Sequence, residues 1–376
     1  MKKIVYLILI VCYFYNNSYS ENNYITYHKK CNTAKLLISN YQFDEALNLY
    51  SQIFKEYEKG FYKDIHNACL CAIRCKKFDS ALELAEKLVL HGYSKEDFES
   101  SAFLDLRNSN EWKSFNKKFP KLQKQYNSTL NIDLRRKYYQ IFLKDQNIVS
   151  TGKGYGTNEN DGNMIQLSQK LYDDYIINGI PDFLHNKDTM NLKYFILHRH
   201  FFGLKNNAKN IVKNVKDTIY QIANKLNWRS LLFEELKKGN IEPQFFADAV
   251  TYNDKKRPFG KPALKIDFEN EKVSLYMNLK PDEINLKNEN RAAIGLLQLN
   301  ENNSDILKNS WYIKYPFQKI KDSLKLVTDP NPMAKLKVIR KFEADVRKGN
   351  PTSDLDDFYL GSLGEIKETH FFGLRL

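Results

Sequence analysis

Asp145 is the first residue whose surroundings suggest chemistry. Leu134, Tyr138, Ile141 and Ile148 form one stripe of a predicted helix over 129–148, and Asp145 lies on that same stripe. A carboxylate there is either buried with a partner or set at the helix end facing a cleft, because an ionised group left bare among apolar neighbours is costly. His198 poses the same question, since it shares a helical face with Phe195 and Phe202. A carboxylate and an imidazole in one cleft could work as acid and base. Other groupings fall short of a site. His198 and His200 are two residues apart and diverge on a helix, so they are not a ligand pair. The Gly152-Lys-Gly-Tyr-Gly156 run lacks the order of a phosphate loop, and no apolar strand precedes it. Cys69, Cys71 and Cys75 share one predicted helix with no His or acid at zinc spacing. They read as small buried thiols in helix packing, with a bridge from Cys31 to that turn as the alternative. No metal and no cofactor is expected.

The elements that must position these residues are mostly helical. Asn40-Tyr-Gln-Phe-Asp-Glu-Ala-Leu-Asn-Leu49 aligns with Cys75-Lys-Lys-Phe-Asp-Ser-Ala-Leu-Glu-Leu84 at an offset of 35 residues. Phe43/Phe78, Asp44/Asp79, Ala46/Ala81, Leu47/Leu82 and Leu49/Leu84 are identical across it. Each block lies at a turn into an amphipathic helix that follows an earlier one, and the small Ala lets paired helices approach closely. A third helical unit over 94–126 should cap the pair, starting at Ser94-Lys-Glu-Asp97, with Pro120 bending or ending its last helix. Residues 150–162 read as a flexible polar loop. Helices are predicted over 163–178, 188–202, 207–227 and 229–238, punctuated by Gly179-Ile-Pro-Asp182 and Lys238-Gly239-Asn240. From residue 262 the apolar period changes from 3.6 to 2, predicting a β-hairpin over 262–280. Asn290–Leu299 returns to helix, 311–348 is helical with breaks at Pro316 and Pro330-Asn-Pro332, and the tail beyond Asp357 reads as a second hairpin around Gly361 and Gly364.

Residues 1–20 read as a secretory signal peptide. Lys2 and Lys3 precede the apolar stretch Ile4–Tyr15, and Ser18-Tyr19-Ser20 supplies small residues before a cut ahead of Glu21. Cys12 raises lipid attachment as an alternative, but Val11 is too large for the residue before such a cysteine. With that segment removed, no membrane span remains, and the mature chain is expected in the periplasm or outside the cell. The 376 residues are 42% hydrophobic and 27% charged, which excludes a disordered chain. The net charge of +13 is dispersed, and 11 of the 58 basic residues are Arg. Nucleic acid is therefore not an expected partner, because its footprint needs clustered charge on one face.

The period and pattern of the paired blocks resemble the tetratricopeptide repeat, whose length is about 34 residues. The order of features resembles a family of exported bacterial proteins that join such a repeat unit to a C-terminal helical domain of unknown function. The residues that carry this likeness are Asp145-Gln146, Asn178-Gly-Ile-Pro181, Leu197-His198, Gly239-Asn-Ile-Glu-Pro243 with Phe246-Ala247 before Asn253-Asp254, and Asn290-Arg-Ala-Ala-Ile-Gly-Leu296. Two positions depart from it: no Arg follows the Asp-Gln pair, and the later acidic-Arg dipeptide stands as Asp254-Lys255. The resemblance implies no established activity, but it gathers Asp145, Gln146, His198, Asp254 and Arg291 as one polar cluster, with Arg291 the preferred partner of Asp145 because its fork fits both oxygens. The expected organisation is a signal peptide at 1–20, repeats at 21–126, a helical domain at 127–310 and a C-terminal extension at 311–376. The expected function is an exported scaffold that binds a protein or peptide. A periplasmic hydrolase-like enzyme built on Asp145 and His198 stands second, because no nucleophile motif accompanies the pair.

Overall fold

The computed structural model describes residues 23–150, 158–207, 226–252, 254, 258–260, 263–267, 272–275, 280–299, 358–359, 365–371 and 374–375. The signal-like segment 1–20, the Gly152–Gly156 run, most of the expected helix at 207–227 and all of 311–348 lie outside them. The described chain is mostly helical.

Helices α1 (Tyr24–Ser39) and α2 (Phe43–Glu56) form one hairpin, and α3 (Tyr62–Arg74) and α4 (Phe78–Leu90) form another. The two turns match at the offset seen in the sequence. Tyr41 (φ 60°) and Lys76 (φ 56°) both adopt the left-handed conformation. In the first turn Gln42 N–H donates to Leu37 O and Tyr41 N–H to Ile38 O; in the second, Lys77 N–H donates to Ala72 O and Lys76 N–H to Ile73 O. This crossed pair of bonds satisfies the last carbonyls of the first helix, and here it forms without the usual glycine. Ala46 and Ala81 then enter the partner helix fully buried. Helix α3 is buried from Asp64 through Ile73, because α2 and α4 flank it.

The capping unit differs from its expectation in detail. The Ser94 backbone N–H donates to Asp97 Oδ2 at 2.8 Å, and the chain then makes two 3-10 turns (Glu96–Glu99 and Ser101–Phe103) before the short α5 (Leu104–Arg107). Pro120 does not end α6, which runs Trp112–Thr129. Phe115 and Phe119 before the proline and Leu122 after it hold that helix on the core, so packing outweighs one lost hydrogen bond.

A second hydrophobic cluster is built from α7 (Ile132–Ser150), α8 (Asn158–Asn178), α9 (Met190–Asn207), α10 (Trp228–Lys237) and α11 (Pro243–Val250). Helix α8 begins at Asn158, so the polar stretch expected as a loop through 162 is already helical there. The expected helix over 290–299 is displaced toward the N-terminus: α12 runs Pro281–Ala293. Pro281 sits at its first turn, Lys280 N–H donates to Glu283 Oε2 at 3.1 Å, and Gly295 follows its end at φ 79°. Strand β1 (Ala263–Asp267) pairs antiparallel with β2 (Lys272–Leu275) and parallel with β3 (Glu365–Phe371), which pairs antiparallel with β4 (Leu374–Arg375).

The two clusters meet along α1, the start of α3 and the end of α4. Tyr24 lies on Gly239, the His185 ring stacks on Phe61 at 4.8 Å, and Lys187 N–H donates to His91 O. Lys63 and Glu242 pair at 2.6 Å across the same seam. Among the described residues, no helix is long and apolar enough to cross a membrane.

Candidate functional site

Of the expected cluster, Asp145 and Gln146 meet, while His198 and Arg291 make their contacts elsewhere. Asp145 is fully buried in α7, below Tyr138 and Ile141 on the stripe that its spacing indicates. Its partner is His200 rather than Arg291: His200 Nδ1 lies 2.8 Å from both carboxylate oxygens. Gln146 Nε2 adds a donor to Oδ2 at 2.7 Å. Helix α9 is held beside α7 by Asp188, which accepts the Met190 N–H at the start of α9 and both terminal nitrogens of the Arg135 guanidinium from α7. This clamp sets the rotation of α9 that brings His200 to Asp145.

His198, two residues away, points elsewhere. It is fully buried among Tyr194, Trp228 and Phe245, at ring separations of 4.7, 4.6 and 5.9 Å. Neither ring nitrogen has a hydrogen-bond partner among the described residues. Burial alone drives its pKa down to about 3, so the ring is neutral and cannot shuttle protons near pH 7.

Arg291 is a backbone clamp. Its Nε donates to Leu297 O at 2.5 Å and Nη1 to Phe259 O at 3.0 Å, while burial lowers its pKa to about 10. Its α12 neighbours do similar work: Asn290 Nδ2 donates to Pro258 O, and Asn288 exchanges two bonds with the backbone of Leu299. Asp254 is half-buried, with its backbone N–H bonded to Thr251 O. Asp145 and Gln146 thus share one contact with each other, while His198 and Arg291 sit in separate surroundings. Among the described residues, no group of three or more His, Cys, Asp or Glu side chains could hold a metal ion. Cys31, Cys69, Cys71 and Cys75 are free thiols, and burial raises the pKa of each.

A cleft of about 230 Å³ opens at the seam between the clusters, lined by Tyr62 and Lys63 of α3, Phe195 of α9, and Glu242, Phe245 and Asp248 at α11. It includes none of the five expected residues.

The polar group that sequence reasoning missed is Asn67 on α3. It is fully buried, yet its side chain grips the backbone of a segment 292 residues away in sequence. Asn67 Nδ2 donates to Tyr359 O at 3.0 Å, and Tyr359 N–H donates to Asn67 Oδ1 at 2.7 Å. Aromatic rings flank this clamp. Phe358 stacks on Phe43 at 5.7 Å, and Tyr359 meets Tyr62 and His66 edge-on at 5.8 and 4.9 Å. His66 is itself fixed by a 2.9 Å bond between its Nδ1 and the Tyr93 hydroxyl. The available signal was local: Asn67 directly precedes the apolar stretch Ala68-Cys-Leu-Cys-Ala-Ile73, and a buried amide needs backbone partners.

No family model matches this chain, and neither a curated protein nor a solved structure matches it.

Proposed function

We propose that this protein is an exported interaction scaffold in which tetratricopeptide-like hairpins offer a helix face to an extended segment of a protein partner. The observation that carries this reading is the matched pair of hairpins. Their turns repeat the same left-handed residue and the same crossed hydrogen bonds 35 residues apart, with a sealed Ala after each. Stacked hairpins of this kind line a groove with their first helices, and such grooves suit extended or helical peptides. Helix α3, the first helix of the second hairpin, bears Tyr62, His66 and Asn67 toward that groove, a set that combines aromatic walls with a side chain able to bond a backbone.

The hydrolase-like alternative on Asp145 and His198 draws no support from the geometry. The carboxylate is sealed against His200, and the neutral His198 ring sits in an aromatic box with no bonding partner. Export rests on Lys2, Lys3, the Ile4–Tyr15 stretch and Ser18/Ser20. Intact mass of the mature protein reads it directly: a chain starting at Glu21 supports export, and one retaining Met1 or starting at a lipidated Cys12 contradicts the assigned cut.

Selection of displayed peptides on the full chain tests the scaffold reading. Enriched peptides that lose binding on Tyr62→Ala support it. A selection that returns nothing on either the full chain or a folded Phe358→Ser/Tyr359→Ser variant, or that returns binders indifferent to substitutions on α3, sinks it.

A further inference from the structure

We propose that Phe358-Tyr359 is an internal occupant that keeps the α3 groove shut, and that the outside ligand of this groove is an extended partner segment carrying two adjacent aromatic side chains. This deepens the scaffold reading and rests on it.

The recognition chemistry is visible in the occupied groove. One residue's N–H and C=O both bond to the two ends of the Asn67 amide, which requires that residue to present both groups along one edge, as extended backbone does. The clamp itself ignores side-chain identity, so selectivity falls to the walls. Here Phe358 goes to Phe43 at the start of α2, while Tyr359 goes to Tyr62 and His66 on α3. Two neighbouring aromatics therefore fill two different walls.

Every clamping and wall residue named here belongs to the repeat hairpins, and Phe358 is buried against their core. The contact is made by noncovalent bonds to a distant piece of the same chain. An outside segment with the same backbone and ring chemistry can make the same set. The internal segment competes as a tethered ligand, at an effective concentration on the order of millimolar. An outside peptide with a groove affinity of tens of micromolar should then appear about tenfold to a hundredfold weaker on the closed chain.

The test is a titration of a labelled synthetic peptide with the sequence of Asp354 to Leu363, followed by fluorescence anisotropy. It compares the full chain with Phe358→Ser/Tyr359→Ser, and thermal unfolding of both is monitored by circular dichroism. The expected result is binding at least about tenfold tighter to the substituted chain. Methylation of the peptide nitrogen at the Tyr position should weaken that binding about tenfold, because it removes the donor to Asn67 Oδ1 without touching the protein. If the double variant melts without cooperativity, Tyr359→Pro replaces it: this change deletes the same N–H, keeps Phe358 on Phe43, and should open the groove partially. Equal binding to closed and substituted chains, or no binding to a folded substituted chain, overturns the proposal. So does a dimer of the unmodified chain that the double substitution abolishes, because the occupant would then be a second copy. Peptide selection reads any ligand of α3, whereas this titration reads only the chain's own segment. Failure here therefore leaves the scaffold reading standing, and a selection that returns nothing on both the full chain and the folded Phe358→Ser/Tyr359→Ser chain removes both.

Discussion

Replacing Gly239 with Ala probes the join between the hairpins and the second helical cluster. Gly239 follows α10 at φ 73°, a conformation that opposes a Cβ by about 1–2 kcal/mol. A Cβ at this position would lie 2.2 Å from Tyr24 Cδ1, 2.3 Å from Cγ and 2.6 Å from Cδ2. The ring cannot swing aside cheaply. It packs against Tyr27 and Tyr57 at 5.3 and 5.2 Å, and its hydroxyl accepts the Lys59 N–H at 2.9 Å. Either the loop after α10 or the start of α1 must shift, and such overpacking typically costs about 1–3 kcal/mol. Together the two effects predict a loss of about 2–5 kcal/mol, a large part of the margin by which a domain of ordinary stability stays folded. Urea unfolding of Gly239→Ala, Tyr24→Ala and the double variant measures it. Removing the ring makes room for the methyl, so the double variant should lose less than the sum of the single losses. An unchanged midpoint for Gly239→Ala, or strictly additive losses, would refute the reasoning.

Ala81→Leu and Ala46→Leu each place a large side chain where none of the Ala surface is exposed, and each should cost about 1–3 kcal/mol; an unchanged denaturation midpoint contradicts the packing at that position. His198 gives a pH signature. Its folded pKa of about 3 lies below the ordinary 6.5, so on acidification the unfolded chain takes the proton first, and the ring's contribution is intact above about pH 6.5 and lost progressively down to about pH 3. At pH 5 the loss is about 2 kcal/mol, which His198→Leu should remove from the pH dependence of urea unfolding; identical pH slopes for the two proteins would show that His198 does not titrate this way. Asp145→Asn and His200→Leu should each destabilise, and the double variant should lose less than their sum, since removing either partner strands the other; additive losses in a double-mutant cycle would mean that the contact is not energetically real.

The residues that proved legible in the sequence are those whose pattern is local. The 35-residue offset shows because two turns with the same backbone need apolar and small residues at the same places, and the burial of Asp145 shows because it continues a stripe. Its partner did not show. His198 and His200 do diverge, as their spacing requires, but which of them meets α7 depends on how the Arg135–Asp188 clamp rotates α9. Arg291 looked suited to a carboxylate, yet two carbonyls 6 and 32 residues away occupy it. The shift of the last described helix to Pro281–Ala293 has a simpler cause: the helix-starting Lys280-Pro-Asp-Glu283 sits where the apolar pattern still suggests a strand edge. Asn67 was the least legible, because a single amide in a helix reads as a solvated position until a distant segment is known to lie over it.

Hydrogen exchange at the Tyr359 amide tests the central claim most directly. Its N–H donates to an acceptor on the fully buried Asn67, so the amide should exchange slowly in the unliganded chain. Saturation with a peptide selected on α3 should make the same amide exchange rapidly, because ligand and internal segment need the same clamp. A Tyr359 amide that stays protected while such a peptide is bound would place the partner elsewhere and contradict the account.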